Sequence, residues 1–120
     1  MKVKLIFALF TLLTAIGCYS EQGDEILNCT IDPSNVKYST TISTLFIDYG
    51  CIGCHGTIAP SDNIVLNTYA GTKKVVDNGK LYGAITHSNR YSPMPQGSTK
   101  MNECDIRKIK AWIDAGAPNN

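Results

Sequence analysis

The spacing of hydrophobic residues predicts a helix near the middle of the chain, at residues 40–49. Its apolar positions recur at i, i+3, i+4 and i+7, which is one stripe of a helix. They are Ile42, Leu45, Phe46 and Tyr49. Ser39 or Thr40 is expected to cap the start of this helix, and Gly50 to end it. Since several of its residues are β-branched and weaken helix propensity, packing of the apolar stripe has to stabilise it.

A second apolar stripe predicts the clearest helix of the chain, near its C-terminal end. Asn102 is a good N-cap, and the acidic residues that follow it suit the positive end of a helix. The apolar positions of this helix are Ile106, Ile109, Trp112 and Ile113. Gly116 lies beyond the expected end, and Pro118 prevents the helix from continuing.

Between these two helices the pattern is weaker. Asn67 is expected to cap a helix at 68–78, which Gly79 ends, and a short helix is expected at 80–86. The stretch 87–100 is predicted to be irregular, and irregular segments of that length in small domains tend to be functional. Because no segment alternates as a strand does, we expect a mainly α fold.

The N-terminal segment predicts export. Residues 1–17 combine a short positive start with a long apolar run, as a signal peptide does. Small residues directly before Cys18 resemble the cleavage site of bacterial lipoproteins, in which that cysteine becomes lipidated; the alternative is ordinary secretory cleavage nearby. Residues 18–28 are polar and are expected to be a flexible tether. We therefore expect a lipoprotein anchored to a membrane on the periplasmic or cell-surface side.

Length and charge limit the classes of function. The 120 residues are enough for one small domain, and we expect a monomer. The formal net charge is +1, but Lys2 and Lys4 lie in the predicted leader, so nine basic and ten acidic residues remain. No basic stripe interleaved with aromatic residues is present, which argues against nucleic acid as a partner.

The most informative motif is Cys51-Ile52-Gly53-Cys54-His55. Two thiols at this spacing can each form a thioether with one vinyl group of a haem, and the adjacent histidine can bind the iron. The motif therefore predicts one covalently attached haem c, with His55 as the proximal ligand.

Two other kinds of site fit this motif less well. A thioredoxin-like dithiol would be expected in a βαβ setting, which the sequence does not show. A zinc site would require a second close pair of ligands, and neither a second C-x-x-C nor H-x-x-x-H is present.

Met94 is the predicted distal ligand of the iron. It lies between Pro93 and Pro95 in the irregular segment, so its backbone is restricted on both sides. Met/His ligation raises the reduction potential of haem. His87 is the rival ligand, and bis-histidine ligation would lower the potential. Met101 is interpreted instead as a core residue.

The remaining cysteines are predicted to form a disulfide. If Cys18 carries lipid and the haem motif takes two further cysteines, Cys29 and Cys104 are left as a pair in an exported protein. The alternative is two separate buried thiols.

Three segments together resemble a small monohaem class I cytochrome c of the exported lipoprotein type. They are CIGCH at 51–55, SPMP at 92–95 and IRKIKAWIDAGAP at 106–118. The resemblance implies that residues 29–120 form a cytochrome c domain, with three to five helices wrapped around the haem and the first and last helices crossing. It also implies thioether bonds from Cys51 and Cys54, with His55 proximal and Met94 distal. Ser43 stands where the family often has a glycine at the crossing.

The expected function is that of a one-electron carrier, not an enzyme, which meets redox partner proteins transiently and is attached to the membrane by its N-terminal lipid. Two alternatives remain open. One is a haem c subunit or domain that serves a partner oxidoreductase. The other is a peroxidase or gas-binding protein with an open distal site, for which only His87 is available as a base.

Overall fold

A computed structural model of the chain describes residues 28–120. The predictions for the signal peptide at 1–17, for lipidation of Cys18 and for nearly all of the tether at 18–28 lie outside the described residues. Within residues 28–120, no helix is long and apolar enough to cross a membrane.

The described part of the chain is mainly α, as predicted, and it contains no strand. Its α-helices are α1, Ser43–Asp48; α2, Cys51–His55; α3, Tyr69–Asp77; α4, Lys80–Ile85; and α5, Glu103–Asp114. A π-helical turn, Tyr38–Ile42, leads directly into α1, and short 3₁₀ turns form at Pro33–Asn35 and Ser61–Asn63.

The predicted start of the first helix is wrong. The helical region begins at Tyr38 rather than Thr40, and neither Ser39 nor Thr40 caps it. The exposed amides of its first turn are satisfied from the far end of the chain. The Tyr38 N–H donates to the Asn120 side-chain oxygen at 2.8 Å, and the Ser39 N–H donates to the Asn120 backbone oxygen at 2.9 Å. A long-range partner thus replaces the local cap.

The core is shared by this helical region, α3, α4 and α5. The predicted stripe of the first helix is confirmed, because Ile42 and Phe46 are fully buried. On α5, Ile109 and Trp112 are equally inaccessible. The π-helical turn packs against α5. Ser43 lies just after it and donates its hydroxyl to the Ser39 carbonyl, within its own helix.

Trp112 organises the packing at the end of α5. Its ring stacks on Tyr38 with centroids 5.7 Å apart, and its indole N–H donates to the Pro118 carbonyl at 3.0 Å. The Tyr69 hydroxyl donates to the Ala117 carbonyl at 2.9 Å. The residues after α5 therefore fold back over the core and join α3 to the first helical region.

The cap of α3 also differs from the prediction. The N-cap is Thr68, whose extended backbone and hydroxyl, accepting from the Gly71 N–H at 3.2 Å, fit that position. Asn67 donates its side-chain amide to the Thr57 hydroxyl instead. Gly79 separates α3 from α4, as predicted, with a φ of +74° that favours glycine.

The start of α5 is as predicted. The Asn102 side chain accepts from the Cys104 N–H at 2.7 Å and caps the helix. In the first turn, Cys104 lies at disulfide distance from Cys29, with Cα atoms 5.7 Å apart, which is within the usual range for such bonds. This geometry agrees with the predicted pair rather than with two separate thiols.

Candidate haem-binding site

Helix α2 brings together three of the predicted site residues. Gly50 precedes it in the left-handed conformation, with a φ of +68°, and turns the chain sharply from α1 into α2. Cys51, Cys54 and His55 then occupy positions i, i+3 and i+4 of the helix. Residues at this spacing lie on one face, so both thiols and the imidazole belong to the same side of a single helical turn.

Both ends of α2 are anchored to the rest of the domain. Just before it, the Tyr49 hydroxyl donates to the Asp105 carboxylate at 2.9 Å and accepts from the Asn102 N–H at 3.0 Å. At its last residue, the His55 carbonyl accepts from the Leu66 N–H at 2.8 Å. The start of α5 and the chain before α3 therefore hold the motif in a fixed position.

One ring nitrogen of His55 has no hydrogen-bond partner. The residue is 8% exposed, and its Nδ1 is buried without a hydrogen-bond partner. Among residues 28–120, no other buried side-chain nitrogen or oxygen lacks a hydrogen-bond partner. Buried polar groups in proteins are nearly always paired, and an unpaired one requires an explanation such as a ligand or a catalytic role.

The two thiols lie in different environments. Cys51 is half-buried against the core, Cys54 is exposed, and both are free. Burial raises the pKa of the Cys51 thiol above its ordinary value. Cys51 therefore remains a neutral thiol at neutral pH.

Met94 lies on a separate segment that hydrogen bonds tie to α4. Its side chain is half-buried, its N–H donates to the Ala84 carbonyl at 3.0 Å, and its own carbonyl lies 3.0 Å from the His87 Nε2. Met101, in contrast, is 2% exposed and belongs to the core, as predicted. His87, predicted as a rival ligand, is directed at the Met94 backbone.

The segment before Met94 rests on a glycine of α4. A Cβ added at Gly83 would collide with the ring of Tyr91, so the ring packs directly on the helix backbone. The Ser88 N–H donates to the Gly83 carbonyl at 2.9 Å. The sequence prediction missed Gly83. A glycine inside a short predicted helix was the available signal, because such a glycine often marks a close approach of another segment.

The predicted site residues thus form two groups. The α2 group holds both thiols and the imidazole, and the other group holds Met94 with His87. No hydrogen bond, ion pair or disulfide within residues 28–120 joins Met94 to the α2 group. Two open cavities, of about 620 and 520 Å³, lie along α3, and neither is lined by Cys51, Cys54, His55 or Met94.

The donor groups present fit a covalently attached haem. It requires two free thiols at the C-x-x-C spacing, an imidazole directly after them and a second axial ligand from elsewhere in the fold. The Nδ1 of the buried His55 ring makes no hydrogen bond to the protein. The half-buried Met94 is available as a thioether, whereas Met101 is enclosed in the core.

In comparisons with known proteins, no family model, no curated protein and no solved structure matches this chain. Among residues 28–120, no group of three or more His, Cys, Asp or Glu side chains is placed to hold a metal ion.

Proposed function

We propose that the protein is a one-electron carrier of the class I cytochrome c type, tethered to a membrane by an N-terminal lipid on Cys18. Cys51 and Cys54 hold one haem through thioether bonds, and His55 and Met94 bind its iron. The observation that carries the proposal is the α2 helix, which presents both free thiols and the buried imidazole within one turn. When bound, the haem supplies reversible exchange of one electron.

The environment of Cys51 favours a haem over a redox-active dithiol. In dithiol oxidoreductases the attacking cysteine has a lowered pKa, since the thiolate is the nucleophile. Burial raises the pKa of Cys51 instead. A half-buried thiol beside the core is better suited to anchor a cofactor permanently than to exchange disulfides with partner proteins.

The contacts of the two candidate distal ligands favour Met94. The Met94 carbonyl can only accept, so the His87 Nε2 is the donor in their hydrogen bond and carries a proton. While this hydrogen bond is kept, the His87 Nε2 is engaged as a donor and is not available to bind iron. Met94 has its backbone fixed at both the N–H and the carbonyl, which leaves its side chain as the free part of the residue.

The chain's own role is to bind the haem, shield it from water and set its potential. Met/His ligation gives a higher potential than bis-histidine ligation. Near-neutral charge and a small domain fit brief encounters with redox partners, whose interfaces are small. A partner oxidoreductase that houses this domain as a subunit would use the same site.

A redox titration of the purified holoprotein, with carbon monoxide and cyanide added in parallel, tests the proposal. We expect a single one-electron transition and no rapid binding of either ligand, because Met94 occupies the distal position. Rapid binding in the native state would contradict electron transfer with closed ligation and would favour an enzyme or a gas sensor.

A pair of methionine variants tests the distal assignment. Met94→Ala should lower the potential and open the iron to cyanide, while the haem stays attached through α2. Met101→Leu is the matched control, since Met101 is buried in the core and should affect stability only. If Met94→Ala leaves the spectrum and the potential intact, Met94 is not the ligand.

A further inference from the structure

The segment from the end of α4 to Met94 forms a closed loop. The Ala84 carbonyl accepts from the His87 N–H at 3.1 Å and from the Met94 N–H at 3.0 Å. The loop is closed a second time by the His87 side chain, whose Nε2 lies 3.0 Å from the Met94 carbonyl oxygen. Both polar atoms of the Met94 backbone are therefore hydrogen-bonded across this loop.

His87 adopts an unusual backbone conformation to make this contact. Its φ is +56°, in the left-handed region that residues with a Cβ seldom occupy. A residue in this region is strained, and it persists where the surrounding structure requires it. Here the left-handed residue turns the chain back from α4 and directs the imidazole towards the residue seven positions later.

The donor in this contact is fixed by chemistry. A backbone carbonyl accepts hydrogen bonds and cannot donate them, so the His87 Nε2 must carry the proton. Both His87 and Met94 are half-buried. A peptide held in this way has less freedom to rotate, and its side chain consequently samples fewer directions.

We infer that His87 is a positioning residue for Met94, which keeps the thioether on the haem iron by hydrogen-bonding the Met94 carbonyl. The inference rests on the proposed function, because it concerns the ligand of that haem. His87 itself does not touch the iron. In this arrangement, the residue that could have competed with Met94 for the iron instead stabilises it there.

The test measures how readily an added ligand displaces Met94 from the ferric iron. Imidazole can bind only when the thioether leaves, so its apparent affinity reports how firmly Met94 is held. His87→Gly removes the imidazole but tolerates the positive φ better than histidine does. We expect the affinity for imidazole to rise about fivefold, the effect of losing one hydrogen bond of ordinary net strength.

The stability of the same variant separates positioning from general support. Since glycine relieves the left-handed backbone while the hydrogen bond is lost, the midpoint of chemical denaturation should change little. His87→Gln should restore most of the resistance to imidazole, because its amide N–H₂ can donate to the Met94 carbonyl. Thr86→Val is the matched control. It removes hydrogen bonds to the Tyr82 and Gly83 carbonyls at the same helix end and should leave the imidazole affinity unchanged.

Three results with the variants would overturn the inference while leaving the proposed electron-carrier function intact. If His87→Gly binds imidazole with wild-type affinity, the hydrogen bond does not hold Met94. If Thr86→Val raises the affinity as much as His87→Gly does, the effect is a general loosening of the end of α4. If His87→Gly, in the absence of added ligand, loses an axial ligand and Met94→Ala does not, His87 is itself the ligand. A wild-type protein without covalent haem would refute the proposed function, and with it this inference, before any variant is compared.

Discussion

The core around α5 and the site around α2 differ in whether their buried polar groups have partners. In the core, the Trp112 indole N–H donates to the Pro118 carbonyl, and the fully buried Thr72 hydroxyl donates to the Leu66 carbonyl. At the site, the buried Nδ1 of His55 has no partner, and the two cysteines are free. These buried polar groups of the core have protein partners, whereas the free thiols and the unpaired nitrogen at the site are what a region that binds a cofactor would have.

The two methionines differ in their burial and in the part of the residue that the protein holds. Met101 is enclosed among apolar neighbours and fills space. Met94 is half-buried on an irregular segment, yet its backbone is hydrogen-bonded at both polar atoms. Precise positioning of a residue that contributes little to the core suggests that its side chain has a function other than packing.

The largest expected effect comes from removing both thiols of the site. The double variant Cys51→Ala with Cys54→Ala should lose the haem and most of its cooperative unfolding, since a domain of this size has a small core that is marginal without its cofactor. Thermal unfolding followed by circular dichroism measures this directly. Ile47→Ala is the control, because Ile47 is 67% exposed and its loss should matter little. A double variant that melts cooperatively near the wild-type temperature would show that the core is sufficient by itself.

Removing the central side chain of the core should affect stability but not ligation. Trp112→Ala should lower the free energy of unfolding by about 3–5 kcal/mol, because it leaves a large cavity and an unpaired Pro118 carbonyl. Denaturant titration of the holoprotein measures the loss. The visible spectrum of the folded variant should remain that of the wild type. If Trp112→Ala changes the iron ligation without lowering stability, the core around α5 and the site around α2 are not distinct regions.

A glycine pair tests the contact between α4 and the segment before Met94. In Gly83→Ala the new methyl group collides with Tyr91, which should cost about 1–3 kcal/mol and make Met94 easier to displace by imidazole. Gly53→Ala adds the same group within α2 where no atom lies within 4 Å, and should not lower stability. Equal stability losses in the two variants would argue against this packing.

The smallest expected effect is electrostatic and lies outside both regions. Hydrogen bonds from the Ser34 hydroxyl and backbone N–H lower the pKa of Asp32 below its ordinary value of 3.8. The carboxylate therefore stabilises the folded state fully above pH 3.8, and this contribution disappears as the pH falls through the lowered folded pKa. Melting temperatures of wild type and Asp32→Asn should differ slightly at neutral pH and converge in acid. A difference that grows in acid would contradict this sign.

Local signals in the sequence predicted much of the fold. The apolar stripe from Ile42 to Phe46 and the Asn102 cap depend on residues close to one another in the chain, and the structure confirms them. The missed start at Tyr38 depends on Asn120, which is 82 residues away from it. The sequence offered no local sign of that contact. At α3, Asn67 and Thr68 are both good caps, and only the backbone conformation distinguishes them.

The site was partly predictable for the same reason. Cys51, Cys54 and His55 lie close together in the chain, so their spacing alone suggested the haem attachment that we propose. The hydrogen bond between His87 and Met94 was not predicted. It depends on the left-handed backbone of His87, and although histidine adopts this conformation more often than most residues, its presence alone does not indicate it.

The most direct test of the account is the intact mass of the protein under denaturing conditions, after production in a host with the machinery for haem attachment. A cofactor held only by axial ligands leaves the unfolded chain, whereas thioether bonds survive. We expect the mass of the processed chain plus one haem. A mass equal to the chain alone would contradict the central claim that Cys51 and Cys54 hold a haem covalently.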